Sequence, residues 1–138
     1  MSFEGGELAV RVYYEDTDFS GRVYHASYLR FLERGRTEWL RGHGLTHQEL
    51  AAASGLVFAV RSMQIDFLAP ARIDDLLTVE TRAAAARGAS MAFQQRIVLG
   101  EKALVTASVL VAAIRDGRPA RLPASLREAL GHAQGQGR

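Results

Sequence analysis

The run Glu15-Asp16-Thr17-Asp18-Phe19-Ser20-Gly21-Arg22-Val23-Tyr24-His25 gathers carboxylates, a flexible glycine and a histidine just where a helical pattern begins. Free N–H groups at a helix start stabilise negative charge. A carbonyl oxygen placed there becomes a polarised electrophile, which is the logic of an oxyanion hole. A nearby aspartate can then act as a nucleophile or as a base for water. The same acidic loop also supports a helix dipole without any chemistry, so spacing alone leaves both readings open. Asp16 reads as a turn cap, and Glu15 as a loop or strand-end residue. The His25 side chain either orients Asp18, touches a substrate, or makes a local structural hydrogen bond. With a single histidine close by and no cysteine in the chain, Asp16, Asp18 and His25 are not expected to hold a metal.

The elements that must position these residues are legible from periodicity. Residues 8–14 read as a strand rich in β-branched and aromatic side chains. The acidic loop follows, then one long helix over residues 25–42, with Tyr28, Leu32, Gly35 and Trp39 on one face. Gly35 on that face predicts a close approach of helix and sheet. A second short helix spans 46–53 with Thr46 as its cap. From Gly55 the period changes to two, giving strands at 57–68, 76–86, 90–99 and 103–114. Turns fall at Asp74-Asp75, Arg87-Gly88-Ala89, Gly100-Glu101 and Asp116-Gly117. A short helix at 123–131 precedes a loose tail over about 132–138. Consecutive long strands with tight turns imply an antiparallel sheet, and one helix with a full apolar face must pack on it. The expectation is an α+β domain, a curved antiparallel sheet of about five strands around one long helix, with no linker or repeat. The run 103–114 is apolar on both faces, with Val105, Ala107, Val109 and Val111 on one side and Leu104, Leu110 and Ile114 on the other. One helix cannot cover both faces of a sheet, so the second face is expected to meet a partner molecule.

Composition removes several classes. The chain has 138 residues, enough for one core without staples. Its hydrophobic content of 48% excludes a disordered chain. Zero cysteines exclude a disulfide framework, a cysteine nucleophile and a thiolate metal site. Seventeen basic against fifteen acidic residues leave +2, an excess that suits an anionic ligand but does not argue for nucleic acid. No apolar stretch is long enough for a membrane span, and the acidic start lacks a signal-peptide core, so a cytoplasmic location is expected.

The stretch from Val12 to Tyr28, continued as Leu29-Arg30-Phe31-Leu32-Glu33-Arg34-Gly35-Arg36-Thr37-Glu38-Trp39-Leu40-Arg41, resembles the 4-hydroxybenzoyl-CoA thioesterase family. It is most similar to the bacterial Tol-Pal-associated acyl-CoA thioesterase branch. Weaker similarity continues at Phe67–Asp75, at Arg87-Gly88-Ala89-Ser90 and at Gln95–Val98, so the likeness covers about residues 8–125. It implies a hotdog fold, a single domain over 1–138, and hydrolysis of a short- or medium-chain or aromatic acyl-CoA to free acid and CoA. The family's catalytic aspartate falls on Asp18, its loop glycine on Gly21, and the N–H that polarises the thioester carbonyl on His25. The resemblance further implies homotetramers built as dimers of dimers, with the site at the dimer interface. No cofactor is implied, since CoA is part of the substrate. An acyl carrier protein or an envelope-complex partner is a further possibility. Relatives of this branch usually carry small residues at positions 19 and 20 and an apolar residue at 22. Here stand Phe19, Ser20 and Arg22, which bears on the acyl pocket rather than on Asp18 or His25.

Other positions stay open between roles. Tyr24 and Tyr28 either line the acyl pocket or pack in the core. Arg87 with Ser90 either holds a nucleotide phosphate at its turn or is solvated there. Arg61 interrupts a strand face and either pairs with a carboxylate or reaches a phosphate. A thioester's leaving thiol, with a pKa of about 8.5, needs no strong acid, so one carboxylate and one polarised carbonyl suffice. Two other readings compete: a hotdog dehydratase acting on a 3-hydroxyacyl thioester, and a non-catalytic hotdog partner of an envelope or lipid-synthesis complex.

Overall fold

Parity and turn chemistry shape the sheet. A computed structural model describes residues 6–136, so the acidic start and residues 137 and 138 of the expected tail lie outside the described residues. The strands are β1 (Gly6–Arg11), β2 (Val57–Phe67), β3 (Leu76–Arg87), β4 (Ser90–Leu99), β5 (Lys102–Arg115) and a two-residue β6 (Arg118–Pro119). All pair antiparallel, in the order β1-β3-β4-β5-β2, with β6 added to β5. Helix α1 (His25–Gly42) keeps the expected bounds, and α2 (His47–Ser54) starts behind Thr46, whose hydroxyl accepts the Glu49 N–H at 3.1 Å. The hairpins turn through left-handed residues, Gly88 at φ 60°, Gly100 at φ 62°, and Asp116 with Gly117 at 52° and 75°. This is the sheet-around-a-helix arrangement expected of a hotdog fold.

Two element ends differ from expectation by three residues or more. β1 ends at Arg11 rather than running to 14, because Tyr14–Asp16 forms a 3-10 turn and the Asp16 carboxylate accepts the Tyr13 N–H at 2.9 Å. Local capping by a short acidic side chain wins over the strand preference of the two tyrosines. The last helix, α3 (Ala124–Gln136), continues past the expected end at Gly131 and across most of the segment expected to be loose. An isolated glycine lowers helix stability by only about 1 kcal/mol relative to alanine, which is no stop signal by itself. Leu122, Leu126 and Leu130 are all buried and anchor this end against the sheet.

The β5 faces are unequal. Val105, Ala107, Val109, Val111 and Ala113 are buried, while Leu110, Ala112 and Ile114 on the other face are only half-buried and Ser108 is exposed. Leu104, expected on that open side, is buried, and its carbonyl takes the N–H groups of Leu68 (2.8 Å) and Ala69 (3.2 Å).

The core centres on α1. Tyr28, Phe31, Leu32 and Trp39 are at most 2% exposed, and Trp39 meets Phe93 edge-on at 5.3 Å. Gly35 sits where the helix touches the sheet, and a Cβ there would lie 2.7 Å from Val79 Cγ1 and 2.8 Å from Thr81 Oγ1. Beside it the buried Gln95 amide donates to the Leu32 carbonyl (2.9 Å) and to Thr81 Oγ1 (2.8 Å), and accepts from Arg36 Nη1 (2.9 Å). Both faces of this contact are rigid, so Gly35→Ala should destabilise the fold by about 1–3 kcal/mol through overpacking. Denaturant unfolding measures this, and an unchanged midpoint would contradict the close approach.

Candidate active site

The acidic loop is tied down by its backbone. Asp18 N–H donates to Arg22 O (2.8 Å) and Gly21 N–H returns to Asp18 O (3.1 Å). Gly21 closes this turn at φ 82°, a left-handed conformation that favours glycine. The loop is then stitched to the segment between β2 and β3 by Val23 N–H to Ala71 O (2.9 Å) and Ile73 N–H to Gly21 O (3.2 Å). The Tyr24 N–H donates to Asp16 O at 2.9 Å, which fixes where α1 begins. Asp16 is therefore a structural cap at both its carboxylate and its carbonyl.

Asp18 itself is exposed, and its Oδ1 accepts the Ser20 hydroxyl at 2.5 Å and the Ser20 N–H at 2.7 Å. The Ser20 hydroxyl bond, then the Ser20 N–H bond, hold this carboxyl below the ordinary aspartate value; Arg22 adds to the effect and slight desolvation opposes it. Asp18 is thus a carboxylate at neutral pH. Tyr24, the residue before α1, offers no side-chain acceptor to the helix, and the His25 N–H has no hydrogen-bond partner among the described residues. The helix N-terminus is open to a ligand. The His25 ring lies parallel to Phe67 at 4.2 Å, stacked rather than bonded to Asp18.

Asp18, Tyr24 and His25 line one cavity of about 480 Å³, with Arg22, Tyr28 and the Phe67–Pro70 segment completing its wall. Tyr28 serves both roles considered for it. Its ring is buried, its hydroxyl accepts the Ala71 N–H at 2.8 Å, and burial pushes its phenol above the ordinary value. Phe19 is fully exposed and outside the wall. Arg87 and Ser90 are not brought to this cavity within one chain. They close the far end of β3 and β4, about 35 Å along the strand from the Leu76 end that abuts the loop. Arg61 is the unpaired residue of a bulge in β2 and touches neither end. Phe67, Leu68 and Ala69 join this wall with no motif of their own in the sequence; their signal is the apolar run ending at Pro70.

A family described as "Thioesterase superfamily" matches residues 20–106. The chain is 43% identical over 134 residues to an acyl-CoA thioesterase, YbgC, of Haemophilus influenzae, covering 96% of this chain and 98% of that one. It is 48% identical over 120 residues to an acyl-CoA thioester hydrolase, YbgC, of Escherichia coli, covering 85% and 89%. A crystal structure of a probable thioesterase from Bartonella henselae superposes with a TM-score of 0.84 at 48% identity, covering 88% of this chain and all of that one. The chain belongs to the thioesterase superfamily. It is a thioesterase with the hotdog fold, as the resemblance implied. No helix among the described residues of this thioesterase is long and apolar enough to cross a membrane.

Ser20 is the lever on the Asp18 carboxyl, so Ser20→Ala should raise the Asp18 titration midpoint towards the ordinary aspartate value. Carboxyl-detected NMR titration of both proteins checks this. A midpoint unmoved by the substitution would mean that the Ser20 hydroxyl bond does not form in solution.

Proposed function

We propose that this thioesterase hydrolyses acyl-CoA, with Asp18 and the His25 N–H as its catalytic pair and no cofactor. The observation that carries the reading is that a carboxylate and an uncapped helix N-terminus line the same cavity. The thioester carbonyl oxygen takes the His25 N–H and the positive end of α1, which stabilise the charge that builds on it during attack. Asp18 then acts in one of two ways. It attacks the carbonyl carbon, forming a mixed anhydride as the C–S bond breaks and the thiolate leaves; water then cleaves the anhydride, freeing the acid and the Asp18 carboxylate, and a released proton goes to the thiolate or solvent. Alternatively it takes a proton from water, whose hydroxide adds to the carbon before the thiolate departs with that proton. Relatives named as acyl-CoA thioesterases support the substrate class.

The free edge supports an oligomer. β2 pairs with β5 on one side and with no strand on the other among the described residues, and Val57, Val60, Phe67 and Leu68 are 41–59% exposed. Unpaired, partly apolar edges template pairing with another chain. A second copy joined antiparallel at the β2 midpoints sets the Val57 end of one copy beside the Phe67 end of the other. Ser90 aligns across β5 with Ala59 near the Val57 end, so the turn of Arg87 and Ser90 approaches the partner's cavity and can hold CoA phosphates. A tetramer would be two such pairs. A cytoplasmic location fits a CoA ester as substrate.

Free-thiol release from a panel of acyl- and aroyl-CoA esters tests the reading. Wild type should release thiol, and Asp18→Asn should lose about 10²–10⁴-fold in rate. Asp18→Glu should also lose most activity, because one methylene misplaces the carboxylate. No release from any ester by folded wild type, or full activity in Asp18→Asn, would overturn it. After a single turnover in ¹⁸O-labelled water, an unlabelled product acid with label on Asp18 marks direct attack followed by water addition at the Asp18 carbonyl carbon.

A further inference from the structure

A second cavity, of about 260 Å³, lies between α1, α2 and the concave face of the sheet. Phe58, Val60 and Phe93 give it an apolar floor, and Thr37 and His47, 3.1 Å apart, stand at its rim. Arg36 lines it, yet Arg36 is only 8% exposed. Its one side-chain partner is the Gln95 carbonyl, and no carboxylate lies within ion-pair distance of it among the described residues. Glu33, also on the wall, is exposed and raises the guanidinium's proton affinity only against the stronger opposing effect of burial. A guanidinium carries five N–H donors in a planar fork, and Arg36 spends Nη1 on Gln95. No buried side-chain nitrogen is left without a partner among the described residues, so the Arg36 nitrogens not bonded to Gln95 keep some accessible surface. A largely buried cation whose nearby carboxylate, Glu33, stays in water is only partly compensated. A ligand oxygen would supply a further acceptor, and a carboxylate would do so bidentately.

We propose that this cavity is the acyl subsite for a thioester held at the Asp18 loop of a second copy, and that Arg36 selects acyl groups bearing an oxygen acceptor, best a carboxylate, at their far end. The proposal rests on the reading of the Asp18 cavity as the hydrolytic centre. Reach argues for the second copy. Eleven residues of α1 separate His25 from Arg36, about 16 Å along the axis, which is beyond a short or aromatic acyl group in one chain. Antiparallel pairing at the β2 midpoints instead sets the Phe58–Val60 wall of one copy beside the Phe67–Pro70 wall of the other. Arg36 is then a specificity residue, remote from the reacting atoms.

Trp39, the only tryptophan, packs on Phe93 in the cavity floor and reports on occupancy through its fluorescence. Benzoate should quench or shift that signal saturably and bind at least about tenfold tighter than the neutral isostere benzamide. In hydrolysis, adipoyl-CoA should exceed hexanoyl-CoA in kcat/KM by about tenfold or more, and Arg36→Gln should erase or invert the preference. Val60→Phe, at a half-exposed position, fills the cavity and should weaken benzoate without touching Arg36. Both ligand comparisons on wild type stand even if Arg36→Gln fails to fold. Equal binding of benzoate and benzamide, or equal hydrolysis of the two esters, would overturn the proposal and leave the thioesterase reading intact. Arg36-dependent benzoate binding with no thiol released from any ester would overturn the proposed acyl role together with the hydrolytic reading.

Discussion

At position 35 the helix and the sheet are in backbone-to-side-chain contact, and no side chain fits between them. Val79 and Thr81 occupy the space where a Cβ would stand. That contact sets how deep α1 lies in the curve of the sheet, and depth has consequences at both ends of the helix. Towards the C-terminus, Trp39 reaches Phe93 and closes the core. Towards the N-terminus, Tyr28 reaches the Ala71 N–H, which brings the start of α1 against the segment that follows β2. Gln95 reinforces the contact, because its amide answers the Leu32 carbonyl, Thr81 and Arg36 at once. A buried amide with every group used specifies one arrangement, since a shifted helix would strand polar atoms away from water.

The helix start is left open while the N–H groups around it are closed. Asp16 consumes the Tyr13 and Tyr24 N–H groups, and Ala71 consumes that of Val23. Among the described residues the His25 and Ala26 N–H groups remain without a partner, on an element whose position the core has already set. Asp18 shows the complementary choice. It stays in water, where an ionised carboxylate carries little desolvation cost, and its direction comes from Ser20 and the Gly21 turn rather than from burial. A rigid donor from a helix and a solvated carboxylate from a loop meet without either being strained by the other. Their proximity costs little stability, because neither charge is buried.

Much of this was legible in the residues. The apolar face of α1, the period-two strands and the turn glycines fixed the order of elements, since each is a local pattern. Gly35 was readable as a close approach because a glycine on a buried helix face has few other uses. Asp18 and His25 could be placed together because both lie in one continuous stretch joining a loop to a helix. What escaped depended on distant pairing. Arg36 stands three residues from Glu33, a spacing that suggests an outer-face ion pair, yet it is buried, and only the fold shows it meeting Gln95 across 59 residues of sequence in the core. Arg87 and Ser90 lie far from Asp18 in one chain, a separation set by strand direction, which composition does not encode. Phe67 stacks on His25 through a contact between two elements whose alignment follows from the β2–β5 register.

The bulge at Arg61 shows how one residue links register to shape. Residues directly opposite each other on paired strands share a face. Phe58 and Val60 oppose the buried Ala113 and Val111, and Met63, Ile65 and Phe67 oppose the buried Val109, Ala107 and Val105. The inward set thus switches from even to odd positions across Arg61, which a regular strand cannot do. The extra residue restores the alternation and bends β2 where it passes between the two cavities. Without it, Phe58 and Val60 would turn outward and the smaller cavity would lose its floor, or Phe67 would turn outward and His25 would lose its stacking partner. Arg61 therefore serves through its backbone, and its long charged side chain suits a position that must stay in water.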